Sequence, residues 1–166
     1  MTSQPAPTPS GKARENLLKV LNHVLEEEVV LSATMRGYLG SITGPKFHSL
    51  YRLFGDQCRQ IERWLGEITE RTRAVGTVAR VGADEIVRSA RAAVSGAPAV
   101  PPRNMVGELL NLHEGIAARL RDDLAACRPD SATMEFLNRL VEFHENTAWM
   151  LRMVLHGPNV PVREDQ

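Results

Sequence analysis

The stretch from Leu17 to Met35 reads LLKVLNHVLEEEVVLSATM, and its apolar residues recur every three or four positions. That spacing places them on one face of an α-helix. It predicts a first helix of about 25 residues that starts near Lys12 and stops near Gly37 and Gly40. The chain is therefore expected to begin its ordered part with a long amphipathic helix.

Three more long helices follow by the same criterion. The second starts after Pro45 and ends at Gly76, and its predicted buried face comprises Phe47, Leu50, Leu53, Phe54, Ile61, Leu65 and Ile68. The third runs over residues 103–127, and the fourth ends at Gly157, with Asp130, Ser131 or Thr133 as its candidate cap. A weaker pattern predicts a short helix at residues 83–94. No segment has the alternation of a strand, so the fold is predicted to be all-α.

The long connection between the second and third helices distinguishes among the possible four-helix-bundle folds. Four long helices with a short helix in that connection are typical of a ferritin-like four-helix bundle. The 166 residues, 43% of them apolar, suit one compact domain at 12–157. Residues 1–11 are predicted to be a flexible tail because they are rich in Pro, Ser and Thr, and 158–166 form a C-terminal tail.

Composition restricts the classes of function. Lys plus Arg and Asp plus Glu both number 20, so the formal net charge is zero and strong binding of DNA is not expected. Cys58 and Cys127 are far apart and in no CxxC pattern, which argues against a disulfide framework or a thiolate zinc site. Without a signal-peptide pattern or a membrane-spanning stretch, we expect a cytoplasmic location.

Three segments resemble a known family. They are TGPKFHSLYRLF at 43–54, GEITERTRAVG at 66–76 and EFHENTAWMLR at 142–152. In this order they are similar to the Dps family of mini-ferritins. The resemblance implies a hollow homo-dodecameric cage, iron sequestration and stress protection. It also implies ferroxidase sites at two-fold interfaces and, in many members, association with DNA and the nucleoid.

The residues that the resemblance assigns to iron depart from the family's pattern. The family's site takes two histidines and a carboxylate from one subunit and two carboxylates from its two-fold mate. At those positions this chain has Leu39, Tyr51, Gly55 and Gly66, and only Glu70 is retained. One carboxylate cannot hold a pair of metal ions. No bound di-iron is therefore expected at the usual site, and the chain is expected to lack the usual ferroxidase activity.

Three readings of the remodelled positions stay open. Tyr51 or a helix of the mate fills the room left by the glycines, with Glu70 accepting a hydrogen bond from the Tyr51 hydroxyl. Alternatively, His48, one helical turn before Tyr51, serves with Tyr51 and Glu70 as a relocated iron-oxidising ligand set. The third reading is a non-enzymatic shell or nucleoid-associated protein.

Other charged residues have structural explanations as well as functional ones. The resemblance places an acidic three-fold pore near the last turn, where the candidate residues are Asp122, Asp123, Asp130 and Glu135. Lys12 and Arg14 are the only cations near the tail that would contact DNA. The run Glu26 to Glu28 is predicted to be mostly solvated, because consecutive residues splay over different helix faces. His113-Glu114 and His144-Glu145 are expected to be structural.

Overall fold

Four long helices form the protein in a computed structural model, which describes residues 11–44, 47–76, 100–127 and 130–157. Helix α1 spans Gly11–Ser41, α2 Phe47–Val75, α3 Pro102–Leu124 and α4 Ser131–His156, and a 3-10 turn at Ala125–Cys127 extends α3. The described ranges contain no strand, so the all-α prediction is confirmed. The short helix predicted at 83–94, residues 1–10 and the C-terminal tail lie outside the described residues.

Helix α1 is longer than its sequence pattern predicted. It has 31 residues rather than about 25, because it continues through Gly37 and ends at Ser41, one residue beyond Gly40. A glycine inside a helix costs only about 1 kcal/mol relative to alanine. Tyr38 and Leu39 pack against the core, and the Tyr38 hydroxyl donates a hydrogen bond to Glu108 on α3. These tertiary contacts carry the helix through both glycines.

The helices pack as a closed square around an apolar core. Helices α1 and α2 pair along their length, as do α3 and α4. Helix α1 meets α3 through the ion pair of Glu27 with Arg119. Helix α2 meets α4 where the Trp64 ring lies 5.8 Å from the Phe136 ring. Helices α1 and α4 are therefore diagonal to each other, as are α2 and α3.

The ends of the helices follow the sequence signals closely. Of the three candidate caps for α4, Asp130 takes the role and accepts hydrogen bonds from the backbone N–H groups of Ala132 and Thr133. Helix α2 ends before Gly76, whose φ of 110° lies in the left-handed region that favours glycine. The Arg14 guanidinium donates to the Gly76 carbonyl oxygen, so the start of α1 is fastened to the end of α2.

Several large apolar side chains lie on the surface of the folded chain. Phe47, predicted on the buried face of α2, is 44% exposed. This prediction is wrong because Phe47 is the first residue of its helix and extends past the end of the core. The other exposed members are Val30, Tyr51, Trp149, Met150 and Val154. Within the described ranges, no helix has the length and apolar content needed to cross a bilayer.

Candidate functional site

The positions that the Dps resemblance assigns to iron ligands lie on the outer side of α2 and at the end of α1. Leu39 packs against the core. Tyr51 is 48% exposed, and its ring stacks 5.4 Å from that of Phe47. The exposed Glu70 accepts a hydrogen bond of 2.7 Å from Arg73. None of these side chains is held by a buried polar partner.

The two glycines at ligand positions leave room on the surface of α2. A Cβ added at Gly66 would meet nothing within 4 Å, and one at Gly55 would lie 3.7 Å from the Arg59 guanidinium. Gly66 and Glu70 line an open groove between α2 and α4 that also contains Phe136. Neither glycine is therefore required by packing inside the subunit.

One subunit alone does not bring the aligned positions together. Tyr51 and Gly55 form one helical turn of α2, and Gly66 and Glu70 form another. Gly55 and Gly66 are eleven residues apart, about 16 Å along the helix axis. A site that joined these two turns would have to be completed by a second subunit. His48 lies one turn before Tyr51 and is also exposed.

The predicted pore residues separate into two groups. Asp130 caps α4, and its carboxylate is also held by Arg71 at 2.6 Å. Burial alone would raise the pKa of Asp130, but hydrogen bonds from Thr133 and Arg71 outweigh burial and leave the pKa below its usual value. Asp130 is thus committed to holding α2 against α4. The remaining candidates are Asp122 and Glu135, which are exposed, and Asp123, which is half-buried.

The two predicted DNA contacts also differ in their surroundings. Lys12 is exposed at the start of α1. Arg14 is half-buried and donates to the carbonyl oxygen of Gly76. Of these two cations, Lys12 is therefore the one with no hydrogen bond or ion pair within the described part of the chain.

The strongest polar constellation was not predicted from the sequence. Glu28, His113 and His144 are each 0% exposed. His144 Nε2 lies 2.6 Å from Glu28 Oε1, and His144 Nδ1 lies 2.9 Å from His113 Nδ1. The three side chains form one line from α1 through α4 to α3. The prediction that the glutamate run is mostly solvated is wrong for Glu28, although Glu26 is exposed.

A signal for this line is present in the helical register. Glu28 falls on the same stripe as Leu21, Val24, Leu31 and Met35, at spacings of three, four and seven. His113 likewise lies between Leu109 and Ile116 on α3, and His144 lies between Val141 and Ala148 on α4. The position of Glu28 in the apolar stripe of α1, rather than the charge of its sequence neighbours, would have predicted that it is buried.

Burial sets the protonation of His113. Desolvation, and to a smaller degree the neighbouring His144, lowers the pKa of His113 to about 3. A neutral His113 has one N–H, so it either donates to His144 Nδ1 or accepts from it. In both tautomers His113 Nε2 has no hydrogen-bond partner among the described residues, and the same is true of Glu28 Oε2.

The line does not have the geometry of a metal centre. Both ring nitrogens of His144 are engaged, one by Glu28 and the other by His113. Those nitrogens point in different directions, so one ion cannot contact all three residues. Among the described residues, no group of three or more His, Cys, Asp or Glu side chains is arranged to hold a metal ion.

The two cysteines do not add reactivity. Both are free and buried. Burial raises the pKa of each thiol to about 11. Since the thiolate is the reactive form, both side chains behave as apolar core residues.

The four-helix square, with the connection between α2 and α3 as its longest, defines a ferritin-like protein. Residues 18–157 match the ferritin family, described as a ferritin-like domain. The chain belongs to this family, which confirms the ferritin-like fold predicted from the four helices.

Solved Dps structures share the fold over nearly the whole chain. Dps from Thermosynechococcus elongatus is 22% identical with a TM-score of 0.79, covering 91% of this chain and 97% of that one. Mycobacterium smegmatis Dps is 18% identical with a TM-score of 0.79, over 93% and 94%. The antigen TpF1 of Treponema pallidum is 17% identical with a TM-score of 0.80, over 93% and 99%. The fold is that of Dps subunits.

Sequence relatives occur in cyanobacteria. A protein of Nostoc sp. described as an uncharacterized low temperature-induced protein is 27% identical over 151 residues, covering 89% of this chain and 84% of the relative. A homologue in Anabaena variabilis matches with the same values.

Proposed function

We propose that this chain is the subunit of a homo-dodecameric mini-ferritin cage that sequesters iron without the usual ferroxidase centre between subunits. The observation that carries the proposal is the pairing of a Dps fold with non-ligating or atypical residues at four of the five positions that the resemblance assigns to iron. These are Leu39, Tyr51, Gly55 and Gly66. The cage would act in stress protection from the cytoplasm.

The chemistry of the aligned residues opposes a metal pair. A Dps of Vibrio cholerae is described as a member of the ferritin-like diiron-carboxylate proteins, and iron in such proteins takes carboxylate and imidazole donors. Leucine and glycine side chains supply no donor atom. Glu70 alone retains a carboxylate, and it already pairs with Arg73. The residues present therefore do not fit a di-iron site.

In this proposal, side-chain packing between two subunits takes the place of metal coordination. Tyr51 presents an exposed ring stacked on Phe47, whereas Gly66 leaves open space beside Glu70. In a two-fold pair the Tyr51 ring of one subunit fills the space at Gly66 of its mate. Its hydroxyl then donates a hydrogen bond to Glu70 there. Large apolar groups left exposed on one subunit commonly mark such interfaces.

Iron would enter as cargo through the three-fold pore. Asp122, Asp123 and Glu135 have no ion-pair partner within the described ranges, and Asp122 and Glu135 are exposed. Free carboxylates near the turn before α4 supply a negative potential that raises the local concentration of cations. Asp130 contributes less, because Arg71 neutralises it.

The test is anaerobic loading of the purified assembly with ferrous ion, followed by oxygen or peroxide while ferric absorbance is recorded. Sedimentation measures the assembly size, and metal analysis measures the iron retained per cage. We expect a dodecamer that retains iron and oxidises it no faster than protein-free buffer. An assembly that retains no iron contradicts sequestration.

A gain-of-function variant sharpens the test. The combined substitution Leu39→His, Tyr51→His, Gly55→Asp and Gly66→Asp restores the family's donor types. We expect faster ferrous oxidation than in the wild-type assembly. Gly40→Asp with Gly107→Asp is the matched control, because it adds two carboxylates at helical glycines that also have open space around the Cβ. Equal acceleration by the control would show that added charge alone is responsible.

Two other outcomes point to the alternatives. Rapid oxidation by the wild type that is lost in His48→Ala, Tyr51→Phe or Glu70→Gln would identify a relocated ligand set. Salt-sensitive binding of DNA without iron retention would identify a nucleoid-associated shell, and Lys12→Ala would weaken that binding.

A further inference from the structure

Trp149 on α4 is the most exposed large apolar side chain among the described residues, at 60%. A tryptophan ring buries a large area when another molecule covers it, and tryptophan is enriched among the residues that contribute most to interfaces between proteins. Exposure alone does not identify what covers the ring. The charges around Trp149 supply that information.

Two ion pairs between α3 and α4 flank Trp149. Arg121 on α3 donates to Glu145 on α4, and Arg152 on α4 donates to Glu114 on α3. Trp149 follows Glu145 by four residues and precedes Arg152 by three, so these three residues share one face of α4. The ring therefore lies between the two ion pairs along the bundle.

The same spacing of charges occurs on both helices. Glu114 and Arg121 on α3 are seven residues apart, as are Glu145 and Arg152 on α4, and seven residues span about 10 Å of a helix. The two ion pairs require α3 and α4 to run antiparallel. Each end of this face therefore carries one arginine and one glutamate, and their order is reversed between the two ends.

The position on α3 that corresponds to Trp149 has a small side chain. Ala118 follows Glu114 by four residues, as Trp149 follows Glu145, and Ala118 is exposed. The face thus has a projecting ring on α4 and, at a similar height on α3, a shallow surface that a ring can cover.

We propose that this face binds the same face of a second copy of the chain, around a two-fold axis parallel to the helices. Rotation about that axis places α4 of each copy against α3 of the other at unchanged height. Arg121 of one copy then meets Glu145 of the other, and Trp149 of each copy covers Ala118 of the other. Such a contact is self-complementary in charge and in shape, as a two-fold interface requires.

The shape of the face selects the direction of the axis. A two-fold axis perpendicular to the helices would also oppose unlike charges, but it would place the two Trp149 rings against each other. The rings would then hold the two Ala118 positions apart and leave a gap. The parallel axis lets each ring pack over the small residue, and close packing is typical of stable interfaces. The contact involves α3 and α4 only, so it does not depend on the packing of Tyr51 from α2.

The first test measures whether Trp149 is covered in the purified assembly. The chain has two tryptophans, so Trp64→Phe leaves Trp149 as the only one and keeps an aromatic ring beside Phe136. Acrylamide quenching of its fluorescence then reports on this face alone. We expect quenching to be several-fold weaker than for free tryptophan amide. Quenching as strong as that of the free amide would overturn the proposal.

The second test changes the charges in the same Trp64→Phe background. Arg121→Glu sets a carboxylate against Glu145 of the second copy, so we expect Trp149 to become accessible to acrylamide. Adding Glu145→Arg restores opposite charges within the chain and across the parallel axis, so protection should return. With the perpendicular axis, the arginine introduced on α4 would face Arg152 of the second copy and protection would stay lost. Protection that survives Arg121→Glu, or that the double variant fails to regain, contradicts the proposed arrangement.

Lys19→Glu is the matched control, because it makes the same change in net charge and breaks an exposed ion pair with Glu15 on α1. It should leave Trp149 protected, and accessibility equal to that of Arg121→Glu would mean that net charge, not this face, controls association. Iron loading of the same samples keeps the two proposals separate. A protected Trp149 without iron retention counts only against sequestration, whereas an accessible Trp149 with iron retained counts only against the α3–α4 contact.

Discussion

The buried line of Glu28, His144 and His113 and the exposed Glu70 on α2 show two opposite relations between charge and structure. In the line, the acidic side chain and the two imidazoles are fully buried and fixed by one another. Within the described part of the chain, the ion pair that Glu70 makes is with a neighbour on its own helix. The one ligand that the resemblance retains is thus held only at the surface, whereas the buried line is fixed by contacts between three helices.

The largest expected effect tests this difference with matched substitutions. Glu28→Ala removes the carboxylate that His144 faces and leaves that imidazole buried without its partner. Leaving a buried polar group without a hydrogen-bond partner costs about 1–3 kcal/mol of unfolding free energy. Glu70→Ala removes the same side chain from the surface and should leave stability unchanged within error. Denaturant unfolding measures both, and similar losses in the two variants would contradict the comparison.

The second effect is a dependence of stability on pH that originates in the core. The pKa of His113 is lowered from 6.5 to about 3. Between these values the unfolded chain binds a proton that the folded chain does not, so stability falls as the pH falls. The slope is about 1.4 kcal/mol per pH unit for this one group. The contribution is absent above pH 6.5 and stops growing below about pH 3.

Comparison with His113→Leu isolates that contribution from the carboxylates, which titrate in both proteins. Unfolding curves at pH 7.0, 5.5 and 4.5 should show a shallower loss of stability in the variant than in the wild type. Parallel losses would mean that His113 is protonated in the folded state in this window.

The third effect compares two aspartates on either side of the turn between α3 and α4. Asp130→Ala removes the cap and the partner of Arg71. Loss of a helix cap costs about 1–2 kcal/mol of unfolding free energy. Asp122→Ala, at an exposed position, should have little effect on stability but should slow iron uptake if Asp122 lines the pore. Equal destabilisation by both variants would show that Asp130 is not the structural member of the acidic group.

The smallest effect is at the surface of α2. Gly66→Ala should stabilise a single subunit by about 0.5–1 kcal/mol, because a helical glycine is replaced and the new methyl group meets nothing. If the Tyr51 ring of a mate fills this space, the same change weakens assembly. Unfolding of the dissociated subunit measures its stability, and sedimentation measures the strength of assembly. Unchanged assembly would argue against the proposed Tyr51 packing.

Much of the fold was predictable because its signals are local. Gly76 and Gly157 mark the ends of α2 and α4, where φ is positive. Asp130 precedes the fourth apolar stripe as a cap should. Helix α1 ends one residue beyond Gly40, close to its predicted end, but it is longer than about 25 residues because it runs through Gly37, beside the contact of Tyr38 with α3. The exposure of Phe47 was missed for a related reason, since periodicity identifies a helix face but not where the core beneath it ends.

The sequence by itself determined the four helices, most of their ends and the ferritin-like class. Each of these follows from residue type and near spacing. Only the tertiary structure decided that Glu28 and His144 are partners, because they are 116 residues apart and no local pattern joins them. The physical reason is that a buried polar group is defined by what surrounds it, and those surroundings exist only when all four helices have packed.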